Sequence, residues 1–129
     1  MDHAPTEAQA EILDTLENTN DNYFLSGQAG TGKSLVLREF VKNTEKNVVV
    51  CAPTGLAAAN VDGVTIHSLF HFPVLEHFID YSPMPHKETD KVLARVDAIV
   101  IDEASMVRAD MLDAIDQRLQ LAREETRAF

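Results

Sequence analysis

Apolar residues recur along this chain in two rhythms. Residues 6–17 place Ile12, Leu13 and Leu16 on one side of a predicted helix, and Thr6 with Gln9 has the spacing of a capping box. Leu35, Val36, Leu37, Phe40 and Val41 return at helical spacing in a second helix, from about Gly32 to Asn43. Between them, Tyr23-Phe24-Leu25 reads as a short buried strand. The continuous apolar runs at 48–52 and 98–101 read as strands buried on both faces of a parallel sheet. Strand, helix and strand in this order predict one right-handed βαβ unit. The alanine-rich stretch 56–60 predicts a short helix, and Thr65 is placed to cap another through Ser68 or Leu69. Residues 87–95 predict a further helix, and Met111, Leu112, Ile115 and Leu119 mark one face of a last one. From Phe72 to about Glu88, Pro73, Pro83 and Pro85 interrupt any period, which predicts a surface excursion.

The polar stretch before the second helix carries chemistry. Gly27-Gln28-Ala29-Gly30-Thr31-Gly32-Lys33-Ser34 has the form G-x-x-x-x-G-K-S, a phosphate-binding loop. Gly27, Gly30 and Gly32 let backbone N–H groups approach phosphate oxygens with no Cβ in the way, and Thr31 adds a hydroxyl and an N–H. The following helix points its free N–H groups and positive end at the same anion. Lys33 reaches the β- and γ-phosphates, and Ser34 presents a hydroxyl to Mg²⁺. An ordinary glycine-rich turn before a helix would look similar, but a second motif weighs against it. Ala98-Ile99-Val100-Ile101-Asp102-Glu103 is an apolar strand ending in two carboxylates, the Walker B arrangement. Asp102 is expected to hold Mg²⁺ through water, and Glu103 to orient or deprotonate the attacking water. The second acid favours nucleoside triphosphate hydrolysis over phosphorylation of a small molecule.

Composition narrows the picture without redirecting it. At 129 residues the chain is at most one domain, and 45% apolar residues suffice for a packed core. Eleven basic against 21 acidic residues, a formal charge of -10, argue against a surface made throughout for nucleic acid, though not against a local groove. The single cysteine, Cys51, excludes an internal disulfide and reads as a buried structural thiol. No apolar run approaches the ~18 residues of a membrane span, so no membrane partner is expected. The start Met1-Asp2-His3 has no signal-peptide character, and an intracellular compartment is expected, cytoplasm or nucleoid or nucleus.

The motifs in order resemble the start of a superfamily one DNA helicase of the Pif-one and RecD branch. The resemblance rests on Gln9, on 22–27 leading into the phosphate loop, and on Ala52-Pro53-Thr54-Gly55-Leu56-Ala57-Ala58, which is similar to motif Ia. It rests further on Thr65-Ile66-His67-Ser68-Leu69-Phe70 and on Ile101-Asp102-Glu103-Ala104-Ser105-Met106-Val107, which is similar to motif II. The resemblance implies a RecA-like three-layer α/β fold with a parallel sheet, ATP and Mg²⁺ as cofactors, and 5′-to-3′ movement on single-stranded DNA. It also implies family roles in DNA repair, recombination and telomere maintenance. Gln9 has two readings, a structural cap and an adenine reader, and the resemblance favours the second. Pro53, Thr54 and Gly55 would border the DNA path, with phosphate contacts that carry no sequence information, and Thr65 and His67 would lie nearby. His67 reads equally as a core histidine, and Phe70, Phe72 and Phe78 as core or as base-stacking rings. Members of the branch continue with a further strand, a second RecA-like domain and its arginine. The chain is therefore expected to be the N-terminal part of the first RecA-like domain, cut before the strand that follows motif II. In that fold the later strand separates 23–25 from 98–101, so those two are not expected to pair. The alternative reading is a nucleotide-binding interaction module without motor activity.

Overall fold

The computed structural model describes residues 6–25 and 33–124, with side chains from 36 onward in the second span. Gly27, Gly30, Thr31 and Gly32 lie outside the described residues, as do the side chains of Lys33 and Ser34. The chain forms two compact units, one up to Lys46 and one from Asn47.

In the first unit, α1 (Glu7–Asn18) packs on α2 (Lys33–Asn43). Thr6 caps α1 through the expected reciprocal pair: Gln9 N–H donates to Thr6 Oγ1 at 3.2 Å, and Thr6 N–H donates to Gln9 Oε1 at 2.8 Å. α1 has no basic residue in its last turn, and Lys46 supplies the missing cation from afar. Its Nζ donates to the carbonyls of Leu16 at 2.7 Å and Thr19 at 2.6 Å. Val36 and Phe40 of α2 are buried, whereas Val41, which shares their apolar pattern, is exposed.

The strand expected at 23–25 is not formed. Tyr23 and Phe24 are 50% and 75% exposed, and these residues have no ladder partner among the described residues. A strand exists through its neighbours' hydrogen bonds, and Tyr23 instead meets Thr19, hydroxyl to hydroxyl, at 2.8 Å.

The second unit holds a parallel sheet of order β2-β1-β3, built from β1 (Val48–Ala52), β2 (Val64–Thr65) and β3 (Ala98–Ile101). Among the described residues β3 pairs with β1 alone, in register Val48 with Ala98 through Cys51 with Ile101. Only Cys51 and Ala52 of these strands are fully buried; Val48–Val50 and all of β3 are half-buried, not covered on both faces as expected. Burial in an apolar setting pushes the Cys51 thiol up to about 12, so it is inert.

Between the strands run α3 (Gly55–Asn60), α4 (Ile66–Phe70) and α5 (Lys87–Arg95), and α6 (Ala109–Arg123) follows β3 after a 3₁₀ turn, Ala104–Met106. β2 is too short to show a period in the sequence. It forms because α3 closes in a Schellman turn. Asp62 takes the left-handed conformation at φ 53, and Gly63 N–H reaches back to the Ala58 carbonyl at 2.8 Å. Gly63 then lies directly against β1: an added Cβ would sit 2.5 Å from the Val50 carbonyl oxygen. Gly63→Ala is therefore expected to lower stability by about 1–3 kcal/mol, because backbone on both sides must shift. A denaturant midpoint equal to the parent's would show that β2 has room to move.

The core gathers Cys51, Ile66, Phe70, Phe72, Phe78, Leu93, Ala114 and Ile115. The 72–86 segment lacks regular elements, yet Phe72 and Phe78 are buried 5.2 Å apart, and each meets the Tyr81 ring edge-on, at centroid distances of 5.7 and 5.3 Å. These rings are core, one of the two readings open for Phe70, Phe72 and Phe78.

The buried face of α6 differs from the apolar one. Leu112 is 42% exposed, and Arg118 is fully buried in its place. Arg118 Nε donates to the Phe70 carbonyl at 3.2 Å, and Nη1 lies 2.7 Å from Asp90 Oδ1 of α5. That second contact is one of charge, since its direction does not suit a hydrogen bond, and Nη2 has no hydrogen-bond partner among the described residues. Losing the anion should therefore hurt more than losing the pair. Asp90→Ala is expected to cost roughly 3 kcal/mol, the low end for a stranded buried charge because Asp90 keeps 25% side-chain exposure. Arg118→Met, close in volume and uncharged, should stay within about 1.5 kcal/mol of the parent. Chemical denaturation of the two variants checks this, and the opposite ranking would refute it.

Candidate nucleotide and nucleic-acid site

Parallel strands bring their carboxyl ends to one edge of the sheet, where ligands of α/β folds bind. Four candidate residues stand at that edge. Thr54 follows β1, Thr65 ends β2, and Asp102 and Glu103 follow β3. Asp102 N–H donates to the Cys51 carbonyl at 2.9 Å, which extends the β1–β3 ladder and holds the half-buried carboxylate at the strand end. Glu103 is exposed and takes the left-handed conformation, φ 55 and ψ 42, as it leads into the 3₁₀ turn. A non-glycine residue held there stores about 1–2 kcal/mol of backbone strain.

Both candidate threonines are N-caps. Thr54 Oγ1 accepts from Ala57 N–H at 3.2 Å, and Thr65 Oγ1 accepts from Ser68 N–H at 3.1 Å. A hydroxyl that accepts a backbone bond still has its own proton to donate, so a cap at a helix start can also serve a phosphate oxygen. Pro53 is half-buried, and Thr54 and Gly55 are exposed. A Cβ at Gly55 would meet nothing within 4 Å among the described residues, so packing against them does not explain the glycine. His67, on α4, is half-buried with its ring 6.0 Å from that of Phe78.

Gln9 is in the other unit, with its amide oxygen engaged in the Thr6 cap and its NH₂ group still able to donate. Lys33 is the first described residue of α2 and Ser34 the second.

Leu56 lies within the motif Ia run, which assigns it no role. It is 75% exposed beside Thr54 and Gly55, while Ala58 two positions on is buried. Two positions on a helix are opposite faces, and that spacing was the available signal. Met106, 56% exposed after Glu103, is similar. A separate cavity of about 210 Å³, lined among others by Phe78, Tyr81, Asp110 and Gln117, contains none of the candidate residues. There the Phe78 N–H, 2.7 Å from Asp110 Oδ2, holds that carboxyl below the usual carboxylate value.

Among the described residues no three His, Cys, Asp or Glu side chains gather as a metal cage. Asp102 at an open strand end fits the other habit of Mg²⁺, one or two protein oxygens with phosphate and water completing the shell. Among the same residues no helix is long and apolar enough to cross a membrane.

The sequence pattern of the PIF1-like helicases matches residues 5–129. The ATP-dependent DNA helicase PIF1 of Saccharomyces cerevisiae is 39% identical over 119 residues, 86% of this chain and 14% of that protein. The ATP-dependent DNA helicase Pif1 of Bdellovibrio bacteriovorus is 34% identical over 120 residues, 90% of this chain and 27% of that protein. The chain thus spans well under a third of either relative's length. Among solved structures, Bacteroides Pif1 bound to single-stranded DNA superposes with a TM-score of 0.87 at 35% identity, over 98% of this chain and 30% of that one. Bacteroides Pif1 with ADP-AlF4 gives 0.85 at 35% identity, over 99% and 30%. The fold is thus that of the RecA-like domain of these enzymes, and the chain belongs to the PIF1-like helicase family.

Proposed function

We propose that this chain is the ATP-binding part of a DNA helicase that moves 5′ to 3′ along single-stranded DNA and couples each step to ATP hydrolysis. What supports the reading most is one coincidence. The residues that a family member needs for hydrolysis and for DNA, Asp102 and Glu103 on one side and Thr54 and Thr65 on the other, end adjacent strands of one sheet.

In this reading the N–H groups of Gly27, Gly30, Thr31 and Gly32 hold the phosphates, Lys33 neutralises them, and Gln9 donates to adenine. Ser34 and Asp102 hold Mg²⁺, which neutralises charge on the β- and γ-phosphates when bound. Glu103 orients the attacking water and takes its proton. Pro53, Thr54, Gly55, Thr65 and His67 line the DNA path. β1 carries both the ladder to Asp102 and the turn to Thr54, so the two sets of residues share one strand. The remainder of the helicase supplies the second lobe whose closure on ATP makes the stroke.

ATP turnover with and without single-stranded DNA, on a polypeptide carrying both lobes, tests this. Turnover that rises with DNA is expected. Tight nucleotide binding with turnover indifferent to DNA would instead favour an interaction module.

A further inference from the structure

We propose that His71 and His86 form a proton-operated latch at the base of the 72–85 segment, closed while the imidazoles are neutral and released when both are protonated. The two rings stack with centroids 3.9 Å apart and planes 12° from parallel. They join the C-cap of α4 to the N-cap of α5, so the stack closes the segment between them.

Each residue has a backbone duty that a proton disturbs. His86 Nδ1 accepts the Thr89 N–H at 3.3 Å and lies 2.8 Å from Thr89 Oγ1. The cap therefore needs a lone pair on Nδ1, which leaves the proton of the neutral ring on Nε2. An imidazolium has a donor at both nitrogens and cannot cap. His71 holds the left-handed conformation, φ 58 and ψ 48, a position that a non-glycine residue keeps only while its contacts keep it there. A proton on each ring sets two positive charges face to face, and histidine changes charge between about pH 5 and 8.

The charged and titratable groups around the pair do not offset this. On α5, Asp90 accepts the His86 N–H at 3.2 Å, and its other oxygen is held by Arg118 of α6 at 2.7 Å. Arg118 also binds the carbonyl of Phe70, the residue before His71. On α4, His67 gives its carbonyl to the His71 N–H and packs its ring on Phe78. Parallel stacked rings cannot aim their lone pairs at one point, so the pair is not a chelate.

The latched segment buries Phe72 and Phe78 but displays Val74, Ile79 and Met84 at 91%, 69% and 75% exposure. Releasing it loosens the end of α4, the helix that bears His67.

Amide hydrogen exchange of the chain at about pH 7.5 and about pH 5, corrected for the intrinsic rates, tests the proposal. Protection at Phe72 and Thr89 is expected to fall about tenfold or more at the lower pH, from the repulsion of two close charges. His86→Asn keeps a capping side chain without a titrating group, and His71→Asn tolerates the left-handed position. In His86→Asn the pH-dependent fall should vanish at both amides, and in His71→Asn it should vanish at Phe72 while Thr89 keeps only the part that comes from loss of the His86 cap. An equal fall in parent and variants would overturn the latch, as would no fall in the parent. Within the parent alone, the loss must also follow the imidazole carbon resonances of both histidines. A loss that follows neither refutes the proposal, whatever the variants do.

Discussion

Lys33→Ala is expected to abolish measurable nucleotide binding while leaving the fold intact. Lys33 opens α2, the position from which a phosphate-loop lysine reaches the β- and γ-phosphates. The loop brings backbone N–H groups and a helix end to the same anion, but these are partial charges, and Lys33 is the loop's one full positive charge. A hydrogen bond to a charged group contributes about 1.5–3 kcal/mol, and a bridging lysine makes more than one, so affinity should fall roughly 10²-fold or more. Alanine is the best helix former, so the start of α2 should not suffer. Titration of a fluorescent nucleotide into parent and variant, with a thermal melt of each, checks both halves. Parent-like affinity in the variant would show that the phosphate loop does not bind phosphate.

Glu103→Gln, on a polypeptide carrying both lobes, should keep ATP binding and lose about 10²–10⁴ in turnover, the range for removal of a general base. The amide is isosteric and can still hydrogen-bond the water, but it cannot take the proton. An unchanged rate would move the base elsewhere. The left-handed backbone at Glu103 supplies a second test of the same position. Glu103→Gly removes the carboxylate and the strain together, so it should lose turnover as fully while unfolding at a slightly higher temperature. A glycine variant that is both slow and less stable would mean that Glu103 holds the turn as well as the water. In the chain alone the loss of turnover is not expected to show, because the family resemblance implies that an arginine on a second lobe neutralises the γ-phosphoryl, worth about 10³–10⁵ in related NTPases. The change in unfolding temperature of Glu103→Gly is expected there as well.

Much of the architecture follows from local pattern. β1, β3 and α5 occupy 48–52, 98–101 and 87–95 as the apolar runs and their flanks require. The Thr6, Thr54 and Thr65 caps are also local, since a cap and its target lie within one turn. The family, too, is legible in the order of the motifs, because phosphate and carboxylate chemistry demands fixed residue types at fixed spacings.

What the sequence left undecided depends on residues far apart in the chain. Residues 23–25 have the composition of a strand, but composition cannot provide the neighbour that a strand needs. β2 arises from the opposite cause: two residues with no pattern become a strand because Gly63 lets them lie against β1. On α6 the apolar rule favoured Leu112, while the tertiary structure buried Arg118, whose charge is tolerable inside only beside Asp90 on α5 and a carbonyl at the end of α4. The His71–His86 stack joins two helix ends that the sequence separates by the irregular 72–85 segment. Periodicity reports which face of an element is apolar, a property of neighbours along the chain. Whether that face, a charge or a ring is buried depends on elements that arrive from elsewhere, and only the folded chain brings them together.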